Sequence, residues 1–213
     1  ATDDDRIRDH AAGFGAEVVM TSDQWRNGTE RCAEAHERLG GGHDIVVNLQ
    51  GDAPLTPPWF IEALIAALRA DPGADIATPV LRCEGAMLES LLADRRAGRV
   101  GGTTAVFGAG GHALYFSKEV IPYTGRSYGA RELTPVHHHV GVYAYRPAAL
   151  ADYPLWPVGP LEMLEGLEQL RFLENGRAVA CVVVESQGRS FWELNNPSDV
   201  AHIESLMVEM GHN

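Results

Sequence analysis

The sequence predicts an α/β fold with a doubly wound, mostly parallel sheet and a small antiparallel or mixed extension. Two short apolar runs rich in β-branched residues, Ile45–Leu49 and residues 76–81, are typical of strands buried on both faces. A segment with helical spacing, residues 57–69, lies between them. Alternation of strand, helix and strand indicates parallel pairing. At 213 residues the chain fits one domain spanning 1–213.

The elements before the first buried strand are predicted from spacing and capping residues. Residues 3–14 carry Ile7, Ala11 and Phe14 at helical intervals, which predicts a polar helix. Residues 17–20 form a short apolar run, which predicts a strand. Gly28 and Thr29 offer a cap for a helix over residues 28–39.

The second half of the chain predicts shorter strands and two further helices. Residues 98–111 contain six glycines, which indicates a mobile connection. Strands are expected at 113–117 and 136–145. A helix is predicted from Pro160 to about Glu174, ending at Asn175-Gly176, followed by a strand at 179–184 and a helix from Pro197 to about Glu209.

Composition limits the class of ligand. Lys and Arg total 17 against 29 Asp and Glu, giving a net charge of −12, which argues against nucleic-acid or anionic-membrane surfaces. Cys32, Cys83 and Cys181 lack zinc or redox spacing and are expected to be buried thiols in a reducing cytosol. No apolar run approaches the ~20 residues that cross a bilayer. We therefore expect a cytoplasmic protein that meets anionic ligands with a few local cations and a metal.

A candidate ligand site follows the strand at Ile45–Leu49. Gly51 permits a sharp turn that leaves Gln50 and Asp52 at the carboxyl end of the strand. In open α/β sheets ligands bind at that edge, and a carboxylate there suits a divalent cation holding phosphate oxygens. The alternative is that Asp52 only stabilises its own turn.

Six blocks of sequence, in order along the chain, resemble the cytidylyltransferases that make CMP-Kdo, where Kdo is 3-deoxy-manno-octulosonate. They are residues 18–22, 27–31, 47–58, 113–122, 139–146 and 160–171. The resemblance implies the nucleotide-diphospho-sugar transferase type of α/β fold and a homodimer. It also implies a Mg²⁺-dependent reaction in which CTP transfers CMP to a small acidic acceptor such as Kdo and pyrophosphate is released.

The resemblance implies a metal and catalytic pair, Asp52 and Asn195. The family has an aspartate at the second position, before the last helix. An amide oxygen can still ligate Mg²⁺ but brings no charge, so weaker metal binding is expected. The alternative is that Asn195 caps the last helix.

Two further groups of residues are implied by the resemblance. The nucleotide-binding group is Asn27, Gly28, Thr29, Arg31 and Gly51. The acceptor-binding group is Gln50, Arg126, His139, Tyr143, Glu162, Glu168 and Gln169. The alternatives are an ordinary helix cap with a solvated Arg31, a structural His139, and glutamates solvated at the surface.

Departures from the family pattern leave the acceptor open. Ala53 replaces the usual Glu, Thr104 replaces a frequent Lys, and Arg126 is displaced by one residue. Another small acid, such as phosphonoformate in a phosphonate pathway, is the nearest alternative.

The family's N-terminal strand and phosphate-binding loop do not precede Ala1. The chain is expected to be a fragment, a retained portion of a longer protein, or the product of a gene without the loop. The last case would favour a degenerate homologue that binds a ligand without turnover.

Overall fold

The computed structural model describes residues 1–189, 194 and 199–210. The strands in this part of the chain are β1 (Val46–Leu49), β2 (Ile76–Glu84), β3 (Thr104–Phe107), β4 (Ala113–Ser117), β5 (Leu133–His139), β6 (Val142–Tyr145) and β7 (Val179–Val184). The helices are α1 (Asp5–Gly13), α2 (Gly28–Arg38), α3 (Pro58–Ala70), α4 (Gly85–Arg96), α5 (Pro147–Asp152), α6 (Pro160–Glu165), α7 (Leu170–Glu174) and α8 (Asp199–Glu209), with a 3₁₀ turn at Tyr153–Leu155.

All seven strands join one sheet, but the predicted mostly parallel pairing is wrong for the described strands. Among the strands of the described residues, only β2 and β7 pair in parallel. The strand β6 runs antiparallel between β1 and β2 and so separates the two strands that were expected to be parallel neighbours. The order is β1-β6-β2-β5-β3-β4, with β7 on the other edge of β2.

Helices cover both faces of the sheet, as predicted for a doubly wound fold. Along β6, Val142 and Ala144 pack with Phe60, Leu64 and Leu68 of α3 on one face. The alternate residues, Tyr143 and Tyr145, pack with residues of the 3₁₀ turn, α5 and α7 on the other. A smaller cluster joins Leu88 and Leu91 of α4 to Val136 of β5.

Several predicted elements differ in detail. The helix expected over 160–174 is two short helices, because Gly166 adopts a left-handed conformation with φ 62° and ends α6. The strand expected at 17–20 is a single bridge between Thr2 and Met20. The glycine-rich stretch holds β3, and the strand expected at 136–145 is divided into β5 and β6.

The helices α4 and α5 were not predicted. Residues 197 and 198, the expected start of the last helix, lie outside the described residues. Within the described part of the chain, no helix combines the length and apolar character needed to cross a membrane.

Candidate active site

The candidate site begins where the start of α2 meets the end of β1. A Cβ atom on Gly28 would lie 2.9 Å from Asn48 Nδ2, so a larger residue would displace the Asn48 amide, and 3.6 Å from Gln50 Cδ, which is an ordinary contact. Asn27 caps the helix by accepting a hydrogen bond from the Glu30 amide at 2.9 Å. The two sequence blocks are thereby held side by side.

Glu168 joins the predicted nucleotide and acceptor residues. Its Oε2 accepts a hydrogen bond from the Thr29 amide at 3.1 Å, and its Oε1 accepts one from Gln50 Nε2 at 3.1 Å. Burial raises the pKa of the Glu168 carboxyl group. The helix-start amide that was expected to receive a ligand oxygen therefore already holds a carboxylate.

A row of rings on β5 and β6 lies beside this contact. The centroids of His139 and Tyr143 are 5.7 Å apart, and those of Tyr143 and Tyr145 are 5.9 Å apart. Tyr143 donates a hydrogen bond to Gln169 Oε1 at 3.2 Å. Burial lowers the pKa of His139 to about 3, so its imidazole is neutral and exchanges a 2.8 Å hydrogen bond with the Thr78 hydroxyl.

Two buried donors at this place have no hydrogen-bond partner among the described residues. They are Asn48 Nδ2 and Gln169 Nε2, and the two side chains are 7% and 2% exposed. Unsatisfied buried donors are rare in folded proteins and are costly unless a ligand or water pairs with them. Both amide nitrogens are suited to donating hydrogen bonds to oxygens of a polar ligand.

A buried ion triad lies behind the site. Arg171 donates from Nε and Nη2 to both oxygens of Glu162 at 2.6 and 2.7 Å, and from Nη1 to Glu30 at 2.8 Å. Glu162, expected to contact the acceptor, thus has both carboxylate oxygens engaged by Arg171. The remaining oxygen of Glu30 accepts a hydrogen bond from the Arg26 amide.

Asp52 is exposed at the turn after β1. No hydrogen bond or ion pair engages its carboxylate within residues 1–189, 194 and 199–210. The amide of Leu194 donates to the Asp52 carbonyl at 2.7 Å. Leu194, which precedes Asn195 in the sequence, therefore lies at this turn. Asn195 itself lies outside the described residues.

The predicted Mg²⁺ site depends on which oxygen, nitrogen and sulfur donors lie near Asp52. Among the described residues, no group of three or more His, Cys, Asp or Glu side chains could hold a metal ion. Asp52 has an exposed carboxylate that no other described residue engages, and carboxylate oxygen is a ligand that Mg²⁺ prefers. Among the described residues it could supply one ligand, and a cation there would take the others from water and phosphate oxygens.

The two predicted arginines have local partners. Arg31 donates to the Thr21 hydroxyl at 2.6 Å and pairs with Asp3 at 3.1 Å. Arg126 pairs with Glu132 at 2.7 Å, and its guanidinium carbon lies 3.8 Å from the centroid of the Tyr128 ring. These contacts do not connect Arg126 to Glu168 or Gln169.

A family model described as cytidylyltransferase matches residues 1–179. The chain belongs to the cytidylyltransferase family. A protein from Maricaulis maris named 3-deoxy-manno-octulosonate cytidylyltransferase is 42% identical over 99% of this chain and 80% of its own length. A protein of the same name from Chlamydia trachomatis serovar L2 is 39% identical over 98% of this chain and 76% of its own.

The fold of this cytidylyltransferase-family chain also has a solved counterpart. The structure of CMP:2-keto-3-deoxy-manno-octonic acid synthetase complexed with CTP superposes with a TM-score of 0.80 at 29% identity. The alignment covers 98% of this chain and 79% of that one. The predicted family and its α/β nucleotidyltransferase fold are confirmed.

Sequence reasoning missed four residues of this family member's site: Glu30, Asn48, Tyr153 and Arg171. Glu30 and Arg171 lie in two of the blocks that resemble the family, residues 27–31 and 160–171, but neither was assigned a role of its own. A polar Asn48 inside an apolar strand was the one available signal, since a buried amide needs a partner.

Proposed function

We propose that this chain is a 3-deoxy-manno-octulosonate cytidylyltransferase, which transfers CMP from CTP to Kdo and releases pyrophosphate. The observation that carries the proposal is the Glu168 bridge, which joins the Thr29 amide to Gln50 at the end of β1. The near full-length similarity to curated proteins of that name supports the choice of substrates.

The nucleotide is proposed to bind at the start of α2. Asn27 and Gly28 lie at a helix N-terminus, where partial positive charge favours ligand oxygens. Thr29 lies beside them with its amide already bonded to Glu168. Gly51 leaves space beside it, since no described residue lies within 4 Å of a Cβ placed there. Arg31 supplies a cation in the first turns of the same helix. To bind the nucleotide, its guanidinium would have to leave its ion pair with Asp3.

The acceptor is proposed to bind over the ring row and the turn between α6 and α7. Gln50, Glu168 and Gln169 supply donors and acceptors for sugar hydroxyls, and Gln169 Nε2 is already without a partner among described residues. His139 and Tyr143 would line the pocket as neutral groups. Glu162 supports this turn through Arg171, and Arg126 would have to leave Glu132 to reach the acceptor.

The transfer asks the protein mainly to orient two anionic reactants. The acceptor oxygen forms a bond to the α-phosphorus, the bond from that phosphorus to the bridging oxygen breaks, and pyrophosphate leaves while the hydroxyl proton is released. Mg²⁺, when bound, would neutralise phosphate charge and favour ionisation of the attacking hydroxyl. Asp52 would hold it, together with Asn195.

By resemblance to the family we also propose a homodimer, which light scattering after size exclusion would test.

The direct test is an acceptor screen with CTP and Mg²⁺, scored by pyrophosphate release. Release should require both CTP and Kdo, and UTP or ATP should support much slower turnover. Pyrophosphate release with phosphonoformate and none with Kdo would show that Kdo is not the acceptor and that phosphonoformate is. CTP binding without turnover on any acceptor would favour a ligand-binding homologue and contradict the enzyme proposal.

Asn195 provides a test of the metal site. Changing Asn195→Asp adds a second anionic ligand and should lower the Mg²⁺ concentration needed for half-maximal rate. If the Mg²⁺ dependence is unchanged, Asn195 is not a metal ligand and the proposed pair of ligands is wrong.

A further inference from the structure

One buried hydroxyl connects the two halves of the proposed site. Tyr153 is fully buried, and its Oη donates a hydrogen bond to the Glu168 carbonyl oxygen at 3.0 Å. The same Oη lies 3.1 Å from Asn27 Nδ2 and accepts a hydrogen bond from it. Because a phenol has one proton, donation to Glu168 leaves only acceptance from Asn27. This arrangement orients the Asn27 amide with its Oδ1 towards the Glu30 amide.

The Tyr153 ring is itself held in place on its faces. The guanidinium carbon of Arg171 lies 4.1 Å from the ring centroid, and the Phe172 ring centroid lies 4.6 Å away. Arg171 is anchored to Glu30 of α2 and to Glu162 of α6. The position of the Tyr153 hydroxyl therefore depends on the packing of its ring against Arg171, which α2 and α6 hold in place, as well as on the rotamer of Tyr153.

Glu168 depends on contacts from outside its own turn. It lies between α6 and α7, two residues after the left-handed Gly166, in a stretch without regular helix. Its carboxylate reaches across to Thr29 and Gln50, and its carbonyl reaches Tyr153. Hydrogen bonds to both its side chain and its backbone carbonyl therefore fix the distance between Glu168 and the start of α2.

We propose that Tyr153 is a positioning residue of the transfer reaction, which holds Glu168 on the acceptor side at a fixed spacing from the Asn27 cap on the nucleotide side. The proposal rests on the proposed function for its kinetic consequence. It assigns no direct contact between Tyr153 and either substrate. A correctly spaced Glu168 matters because small displacements of positioning groups lower the rate and binding of the oriented reactant.

The variant Tyr153→Phe keeps the ring under Arg171 and removes only the hydroxyl. We expect the KM for Kdo to rise about tenfold, the size of effect expected for one lost buried hydrogen bond. The KM for CTP should rise less than the KM for Kdo, because Asn27 loses the acceptor of its Nδ2 but keeps its cap to Glu30. The matched control is Tyr115→Phe, which removes a hydroxyl that binds Glu165 at 3.3 Å outside the site and should leave both constants unchanged.

A second measurement does not depend on substrate. Amide hydrogen exchange at Thr29, whose N–H donates to Glu168, should accelerate in Tyr153→Phe and stay as in the wild type in Tyr115→Phe. Unchanged exchange at Thr29 would overturn the proposal. So would faster exchange with an unaltered Kdo KM, or a lower kcat and melting temperature with both KM values unaltered, since that pattern is purely structural. If the wild type makes no CMP-Kdo, the proposed function has failed, and the exchange result alone decides whether Tyr153 holds Glu168.

Discussion

At the scale of single residues, Asp52 is the group on which the proposed chemistry depends most. Its carboxylate is exposed and is not engaged by any described residue, so its replacement should leave the fold intact. We expect Asp52→Asn to lower turnover by two or more orders of magnitude, equivalent to about 3 kcal/mol in the activation barrier. The measurement is pyrophosphate release at saturating CTP and Kdo over a range of Mg²⁺ concentrations.

Asp44 provides a matched control, because it is an exposed aspartate just before β1, at the opposite end of the same strand. Asp44→Asn makes the same chemical change at a place where no ligand is proposed, and activity should stay near that of the wild type. Near-normal turnover in a folded Asp52→Asn variant would remove Asp52 from the metal site.

At the scale of elements, the buried triad of Arg171, Glu162 and Glu30 fastens α7 to α2 and α6. Replacing Arg171→Met leaves two buried carboxylates without their cation, and breaking a buried ion pair in this way costs about 3–5 kcal/mol. The free energy of unfolding in urea should fall by that amount. Arg38→Met, which breaks an exposed pair with Glu34 on α2, should cost no more than about 1 kcal/mol.

Similar losses for the two arginine variants would show that Arg171 contributes little beyond a surface pair. A folded Arg171→Met chain with full stability would mean that the carboxylates are protonated or solvated in the variant.

The sequence allowed the apolar elements to be located, but not the point at which one of them is divided or the partners of its charged residues. The segment 160–174 has helical spacing throughout, yet Gly166 ends α6 and the chain turns before α7. With the chain divided there, Glu162 pairs with Arg171 and Glu168 accepts from Thr29, so two glutamates of one predicted helix have different partners. Periodicity reports local spacing, whereas these partners are set by contacts between distant parts of the chain.

At the scale of the whole molecule, strand order was the part that the sequence could not supply. The strands β1 and β2 were correctly expected to flank the helix α3, but the partner between them, β6, comes more than 60 residues after β2 begins. The family resemblance located most candidate site residues because it carries such long-range information. It placed Arg126 in the site as well, and the structure instead gives it Glu132 as a partner.

The buried histidines give the whole chain a predicted dependence of stability on pH. Burial lowers the pKa of His138 from 6.5 to about 4, so between these values the unfolded chain binds a proton that the native chain does not. Stability is therefore lost as the pH falls below 6.5. At 1.36 kcal/mol per pKa unit, His138 accounts for about 2 kcal/mol of the loss down to about pH 5.

Removing this histidine isolates its share of the loss. The free energy of unfolding of wild type and His138→Gln would be measured in urea at about pH 7.5 and pH 5, where the decrease should be about 2 kcal/mol smaller in the variant. Burial also raises the pKa of Glu168, which opposes the trend, but Glu168 is common to both proteins and cancels in the comparison. The matched control is His43→Gln, which makes the same substitution at an exposed side chain. An equal decrease in wild type and His138→Gln would mean that His138 is solvated or protonated in the native chain at pH 5.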